Sequence, residues 1–322
     1  MIIMGKRNQI VLKKKNNKKQ YLISMLLITV FNLVTYTQQT PHYTQYLYNM
    51  QVLNPAYVGS RSDLSISVLS RQQWVGIEGA PTTKTFSING RTIRGLGLGL
   101  TVVNDKIGLA ETTNTNIDVS YTIITSEHAR LAFGLKGGLT FFSNNLSQGI
   151  TPDNDIYAST SGKYPNIGFG ALYYTQKFFV GFSLPYLLET PLFKTLESSN
   201  VTGVADDMNY FLSTGAIFEL SDNIMFKPST IIKYTSNLPM SIDLNANFLL
   251  RNNIETGLSY RYKNSVSALF AIIIDEKFRV GYTYDYRLTN FGSNLSSHEI
   301  VLHIDFSFNR NQRWLLHNKC FF

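Results

Sequence analysis

A period-2 alternation of apolar and polar residues keeps returning until the chain ends, and it narrows the possible folds more than any other feature. In Glu299-Ile300-Val301-Leu302-His303-Ile304-Asp305-Phe306-Ser307-Phe308 the even positions are large and apolar, and most odd ones are charged or polar. The pattern recurs in Arg279 to Arg287 and again in Asp243 to Phe248. A strand of this kind sends alternate side chains to opposite faces of a sheet. One face carries Tyr, Phe, Ile and Leu; the other carries Asp, Arg, His, Glu and Asn. A soluble sandwich buries the first face and wets the second. A membrane barrel does the reverse, with apolar side chains in lipid and polar ones lining the lumen.

Composition favours the barrel. Aromatics are 13% of the chain, with 19 Tyr and 21 Phe against 2 Trp, a richness that suits a barrel with aromatic girdles. Mean hydropathy is −0.05, as expected when alternating strands average out. The formal charge of +8 is concentrated: seven of the 29 Lys and Arg lie in residues 1–37, which hold no Asp or Glu. The remaining 22 face 21 acidic residues, so a basic surface for nucleic acid is poorly supported. That basic block precedes the apolar run Tyr21 to Phe31. Such an order reads as the n- and h-regions of a secretory signal occupying residues 1–37, with cleavage near Thr35-Tyr36-Thr37-Gln38. A membrane anchor is the competing reading, but the run is short for a span and is followed by Asn32. The single cysteine, Cys320, allows no internal disulfide and no cysteine-built metal site.

From about residue 62 to residue 308, roughly 14 segments of strand length follow one another. Ser221-Asp222, Asn252-Asn253, Asn264 and Asp275-Glu276 mark tight turns. Asn144 to Tyr164 and Glu189 to Ala205 read as long loops. Short turns at one end and longer loops at the other match an outer-membrane barrel. The expected architecture is therefore all-β, an antiparallel transmembrane outer-membrane β-barrel of about 14 strands over residues 62–308. Residues 38–61 form a periplasmic or barrel-mouth segment ahead of it, and 309–322 form a tail. Val266 to Ile274 is apolar on both faces. It reads either as a strand packed on an inward loop or plug, or as a buried sandwich strand.

Catalytic motifs do not emerge. His42, His128, His298, His303 and His317 are scattered, and no G-x-S-x-G occurs. Gly95-Leu96-Gly97-Leu98-Gly99-Leu100 lacks the Lys-Ser/Thr of a phosphate loop. It reads better as a strand with glycine inward and leucine towards lipid, leaving room inside the barrel for a loop or partner. With this phasing Asp243, Arg261, Arg279, Asp285, Arg287, Glu299, His303 and Asp305 all point into the lumen. Their mixed signs favour cross-strand pairing that braces the wall over a one-sign selective constriction.

Several blocks carry a resemblance. Pro41-His42-Tyr43-Thr44-Gln45-Tyr46 and Leu53-Asn54-Pro55-Ala56-Tyr57-Val58-Gly59-Ser60 are followed by Arg71-Gln72-Gln73-Trp74-Val75-Gly76 and Gly79-Ala80-Pro81-Thr82-Thr83. Gly97-Leu98-Gly99, Asn104 to Gly108, Lys227-Pro228-Ser229, Gly281 to Asp285 and Ser297 to Ile300 continue the series. Together, over about residues 39–308, they resemble the PorP/SprF family of Bacteroidetes outer-membrane proteins. Asn209-Tyr210 departs from the His-Tyr expected there. The resemblance implies an outer-membrane barrel of type IX secretion and gliding motility, non-enzymatic, with no cofactor. Its implied partners are type IX secretion components or a large secreted surface adhesin, with outer-membrane lipid around it and no nucleic acid.

Read physically, these blocks nominate Asn54, Pro55, Tyr57, Arg71, Gln73 and Trp74 for partner binding. Trp74 between polar neighbours has the character of a binding anchor, and equally that of an interface-girdle residue. The Leu53–Ser60 segment would tuck into the barrel mouth or serve as a periplasmic docking peptide. Beside the secretion role stand an outer-membrane channel for small solutes, a membrane-embedded hydrolase and a soluble exported sandwich.

Overall fold

The computed structural model describes residues 43–92, 95–145, 160–188, 208–236, 238–275, 277–288 and 296–308. The proposed signal segment and cleavage region, His42, the tail with His317 and Cys320, and most of the two long loops lie outside them. Among the described residues no helix is long and apolar enough to cross a membrane. The strands do the crossing.

The strands are β1 (Leu64–Gln72), β2 (Thr82–Arg91), β3 (Leu96–Ile107), β4 (Ala110–Ile124), β5 (Ala129–Asn144), β6 (Thr160–Thr175), β7 (Phe178–Leu184), β8 (Asn209–Ala216), β9 (Phe218–Ser221), β10 (Ile224–Thr235), β11 (Ser241–Leu250), β12 (Ile254–Arg261), β13 (Ser265–Ile274), β14 (Phe278–Arg287) and β15 (Ser296–Phe306). Neighbours in sequence pair antiparallel around the ring, and β1 pairs with β15 from Leu64↔Phe306 to Gln72↔His298, which closes it.

β8 and β9 both pair with β10 and share one place in the wall, so the barrel is closed and 14-stranded. Pro228 explains the interruption. It has no N–H to give to a neighbour. Pairing with β8 begins at Ser229↔Gly215, and pairing with β9 resumes at Phe226↔Phe218. Between them Ile217 turns its backbone N–H to the Lys177 carbonyl at 2.7 Å and is buried.

Alternation decides the faces. Val68, Phe86, Leu98, Ile117, Leu135, Leu258, Tyr282 and Ile300 are exposed on the outside, where lipid replaces water. Ser67, Thr85, Thr101, Asp118, Lys136, Ser259, Thr283 and Glu299 are buried on the inside. β13 follows the rule with an apolar interior: Leu269 and Ile273 join the buried cluster that contains Tyr46, Tyr48 and Met50. Its apolar inner face therefore meets an internal segment, one of the two readings open from the sequence.

Connections at one end are the short turns after β2, β4, β6, β9, β11 and β13. At the other end β5–β6 and β7–β8 are joined across residues 145–159 and 185–208. β6 rises above its neighbour β7, which pairs only with Phe169 to Tyr174. Pro165 stands on this overhanging strand, where a missing N–H discourages a foreign strand from adding on.

Candidate functional site

The lumen is occupied by the chain's own residues 43–62. They lie inside the barrel, in place of the mouth or periplasmic position expected from the sequence. Three short 3-10 turns shape them: Tyr46–Tyr48, Met50–Val52 and Pro55–Tyr57. Asn54 caps the last, its side chain accepting from the Ala56 N–H at 2.9 Å, and Pro55 suits the first helical position. Gly59 turns the chain shortly before the segment's end with φ +69, a left-handed conformation natural to glycine.

This plug runs from the long-loop end to the short-turn end. Near the long loops, Glu299 accepts from the backbone N–H of Thr44 at 3.0 Å and of Gln45 at 2.6 Å. The Thr44 hydroxyl donates to Asp285 at 2.9 Å. Arg71 from β1 lies 2.5 Å from Asp285 and 3.0 Å from Glu299. One cation and two carboxylates thus hold the plug's upper end. Six residues further along β15, Asp305 holds the lower end: Arg61 donates to it at 2.7 Å, Ser62 at 3.0 Å and Ser65 at 2.6 Å. Six residues of strand is about 20 Å, so the plug extends through much of the wall's height.

The middle is anchored on β4 and β5. Lys136 donates to the Val52 carbonyl at 2.9 Å and sits 3.6 Å from Asp118, which accepts from Gln51 at 2.9 Å. Asn54 donates to the carbonyls of Ala171 and Phe182 at 3.1 and 3.3 Å. Tyr46 meets Asn245 through its hydroxyl, and Tyr48 lies under the Arg279 guanidinium at 4.9 Å from the ring centre. Close approach is possible because the facing wall is glycine. A methyl group on Gly97 would strike the Val58 carbonyl, on Gly99 the Gln51 amide, on Gly134 the Ala56 backbone, and on Gly170 the Asn54 amide.

Each residue nominated from sequence has a definite place. Asn54, Pro55 and Tyr57 are buried in the plug, and Arg71 is buried in the upper ion cluster. In this structure all four meet the chain's own residues. Arg71 is not among the residues read as facing inward; the apolar inner face of Val266 to Ile274 and the Gly95–Leu100 run are the features that point to something inside the barrel. Gln73 and Trp74 stand at the long-loop rim, half-buried, with the Arg287 guanidinium 5.4 Å from the Trp74 ring.

Of the eight lumen residues, seven are buried inside and Arg287 sits at the rim. Asp243 and Arg261 face each other across β11 and β12 at 2.8 Å, as a cross-strand pair. Asp285, Glu299 and Asp305 instead bond mainly to the plug and β1, and Arg279 covers a plug tyrosine. His303 lies 3.1 Å from Asp305. Asn209, where His was expected, accepts from Thr235 at 2.7 Å.

Sequence reasoning passed over Thr44, Gln45, Gln51, Arg61 and two inward pairs, Asp118–Lys136 and Lys227–Glu255, the latter at 3.1 Å. The same alternation places both pairs inside. Gln51 and Arg61 carry no periodic signal at all.

Similar structures are outer-membrane barrels at low identity. Omp33 of Acinetobacter baumannii shares 8% identity over 77% of this chain and all of its own, with a TM-score of 0.47. The toluene transporter TbuX of Ralstonia pickettii shares 9% over 80% of this chain and 93% of its own, with a TM-score of 0.46. No curated protein matches the sequence. The model of the type IX secretion system membrane proteins PorP/SprF matches residues 35–304, through the plug and nearly all of the wall. The chain belongs to the PorP/SprF family, and is an outer-membrane β-barrel of type IX secretion.

Proposed function

We propose that this barrel acts by recognition at its ends, supporting the secretion or surface attachment of a large adhesin or linking to the periplasmic machinery, and conducts no solute. It is a non-enzymatic member of the secretion apparatus. The observation that carries this reading is the filled lumen. Ala56 and Val58 have no exposed surface, and Gln45 is only 1% exposed. Cavities between plug and wall such as those of about 30 and 20 Å³ beside Asn49 and Tyr43 suit isolated waters.

The plug is also expensive to withdraw. Its removal would leave Asp305 without Arg61 and strip the Glu299 carboxylate of two N–H donors, and stranded buried charges are strongly destabilising. A solute channel, the competing role, needs that path open.

Reconstitution into planar bilayers tests the reading. The intact chain should give no steady conductance, and a variant lacking residues 43–60 should conduct or fail to fold. Stable ohmic conductance from the intact, heat-modifiable barrel would return the protein to the solute-channel class. Disrupting the gene in the native cell should then leave one large surface protein unsecreted or unattached.

A further inference from the structure

Among the described residues, the buried charges of the lumen form three groups, and only two of them balance. At the long-loop end Arg71, Lys233 and Arg261 face Asp243, Asp285 and Glu299, three cations against three carboxylates. At mid-height Lys136 faces Asp118. Towards the short turns Arg61, Lys227 and Arg279 share Glu255 and Asp305, three cations against two carboxylates. That last group carries one positive charge in excess. His303, 3.1 Å from Asp305 through Nε2, enlarges the excess whenever it takes a second proton. Buried charge in excess is costly unless a counter-charge stands beside it.

A cavity of about 30 Å³ adjoins this group, between the plug and the inner faces of β1, β2 and β15. Asn49, Arg61, Ser67 and His303 are among the residues that line it. None of the described lining residues is a carboxylate, and Arg61 is the one permanent charge among them. Ser67 pairs with His303 and His303 with Arg279, so the wall brings these three into one row. Asn49 reaches across from the plug. Its Oδ1 accepts from Ser87 at 2.8 Å, which leaves the Nδ2 amide for another partner. Asn49 Nδ2 and Ser67 Oγ are both buried with no hydrogen-bond partner among the described residues.

Buried polar atoms are nearly always bonded, so two of them on opposite sides of one cavity mark an occupant. Water would serve the two groups and leave the charge excess as it was. An anion accepts from the N–H and O–H donors and offsets one cation as well. The space is that of about one or two water molecules, which suits a monatomic anion better than a tetrahedral one. We propose that this cavity binds one chloride ion, held by Asn49 and Ser67 beside Arg61. The ion is the counter-charge of the lower group and a fastening between plug and wall. The site stands on the charge count and the two unbonded polar atoms, and is independent of the role assigned to the barrel ends.

Halide exchange on the intact barrel in detergent tests it. At constant ionic strength, replacing gluconate by about 100 mM chloride should raise the heat-modification midpoint by at least about 3 °C, as a ligand of the folded state does by mass action. Bromide should act alike, and crystals grown in bromide should show anomalous density within hydrogen-bond reach of Asn49 Nδ2 and Ser67 Oγ. Asn49→Asp supplies the negative charge covalently and keeps an oxygen for Ser87, so this variant should lose the chloride response. Ser67→Asp sets the same charge on the opposite side and should lose it too. If neither variant folds, the midpoint shift and the density decide. Equal midpoints in gluconate and chloride, bromide density on the surface alone (an adventitious ion only), or an undiminished chloride response in either folded variant would overturn the proposal.

Discussion

The plug is held by two unlike walls. On β3, β5 and β6 it meets glycines, and its backbone lies where side chains would otherwise stand. On β14, β15 and β1 it meets Asp285, Glu299, Asp305 and Arg71, and is held by charge-assisted hydrogen bonds. The glycine side governs how near the segment comes. It is mainly geometric, with the Lys136 ammonium, the Gln51–Asp118 bond and the two Asn54 donors as its few fixed polar points. The charged side governs which residues stop where, because Glu299 accepts two particular N–H groups and Asp305 one particular guanidinium. Space without charge would let the segment slide, while charge without space would hold it at a distance.

Replacing Glu299 by alanine attacks the charged wall and should have the largest effect. It leaves the Arg71 guanidinium with Asp285 as its remaining acidic partner and orphans two buried N–H groups, a loss of about 3–5 kcal/mol for a broken buried pair. Unfolding in urea from lipid vesicles measures it, and a change below about 1 kcal/mol would mean that the charged wall is no clamp. Gly134→Val attacks the other wall by driving a side chain into the Ala56 backbone. The overpacking should cost about 1–3 kcal/mol and displace the plug enough for conductance to appear. A sealed, fully stable variant would show that the plug has slack there. Arg287→Ala lies beyond both walls, touching the half-buried Trp74 at the rim. A cation–π contact at such an exposed site is worth about 0.5–1 kcal/mol, so a larger thermal shift would extend the clamp to the rim.

The wall was legible in detail and its contents only in outline. Strand positions follow from alternation, since period 2 survives whatever the strand packs against; β13 was visible even with an apolar inner face. The same alternation gave the inward direction of Asp243, Arg261, Asp285, Glu299 and Asp305. It could not say what those groups meet, because a polar ladder facing water and one facing a polar plug look alike. The plug itself is built of single 3-10 turns, too short for any period, and its Tyr46, Tyr48 and Tyr57 are buried like core residues. The available signs lay in the wall: the apolar inner face of Val266 to Ile274 and the inward glycines of the Gly95–Leu100 run. The paired proline of Lys227-Pro228-Ser229 was visible as a block, but the break it forces lies in the neighbouring strand, a non-local effect.

The seam between β1 and β15 has a consequence for assembly. The first strand must find the last, nearly the whole chain later, and β1 follows the plug directly in sequence. Glu299 and Asp305, which grip the plug, belong to the strand that completes the ring. Closing the ring and seating the segment are therefore coupled, because the strand that completes the wall also supplies the carboxylates that hold the plug at both ends.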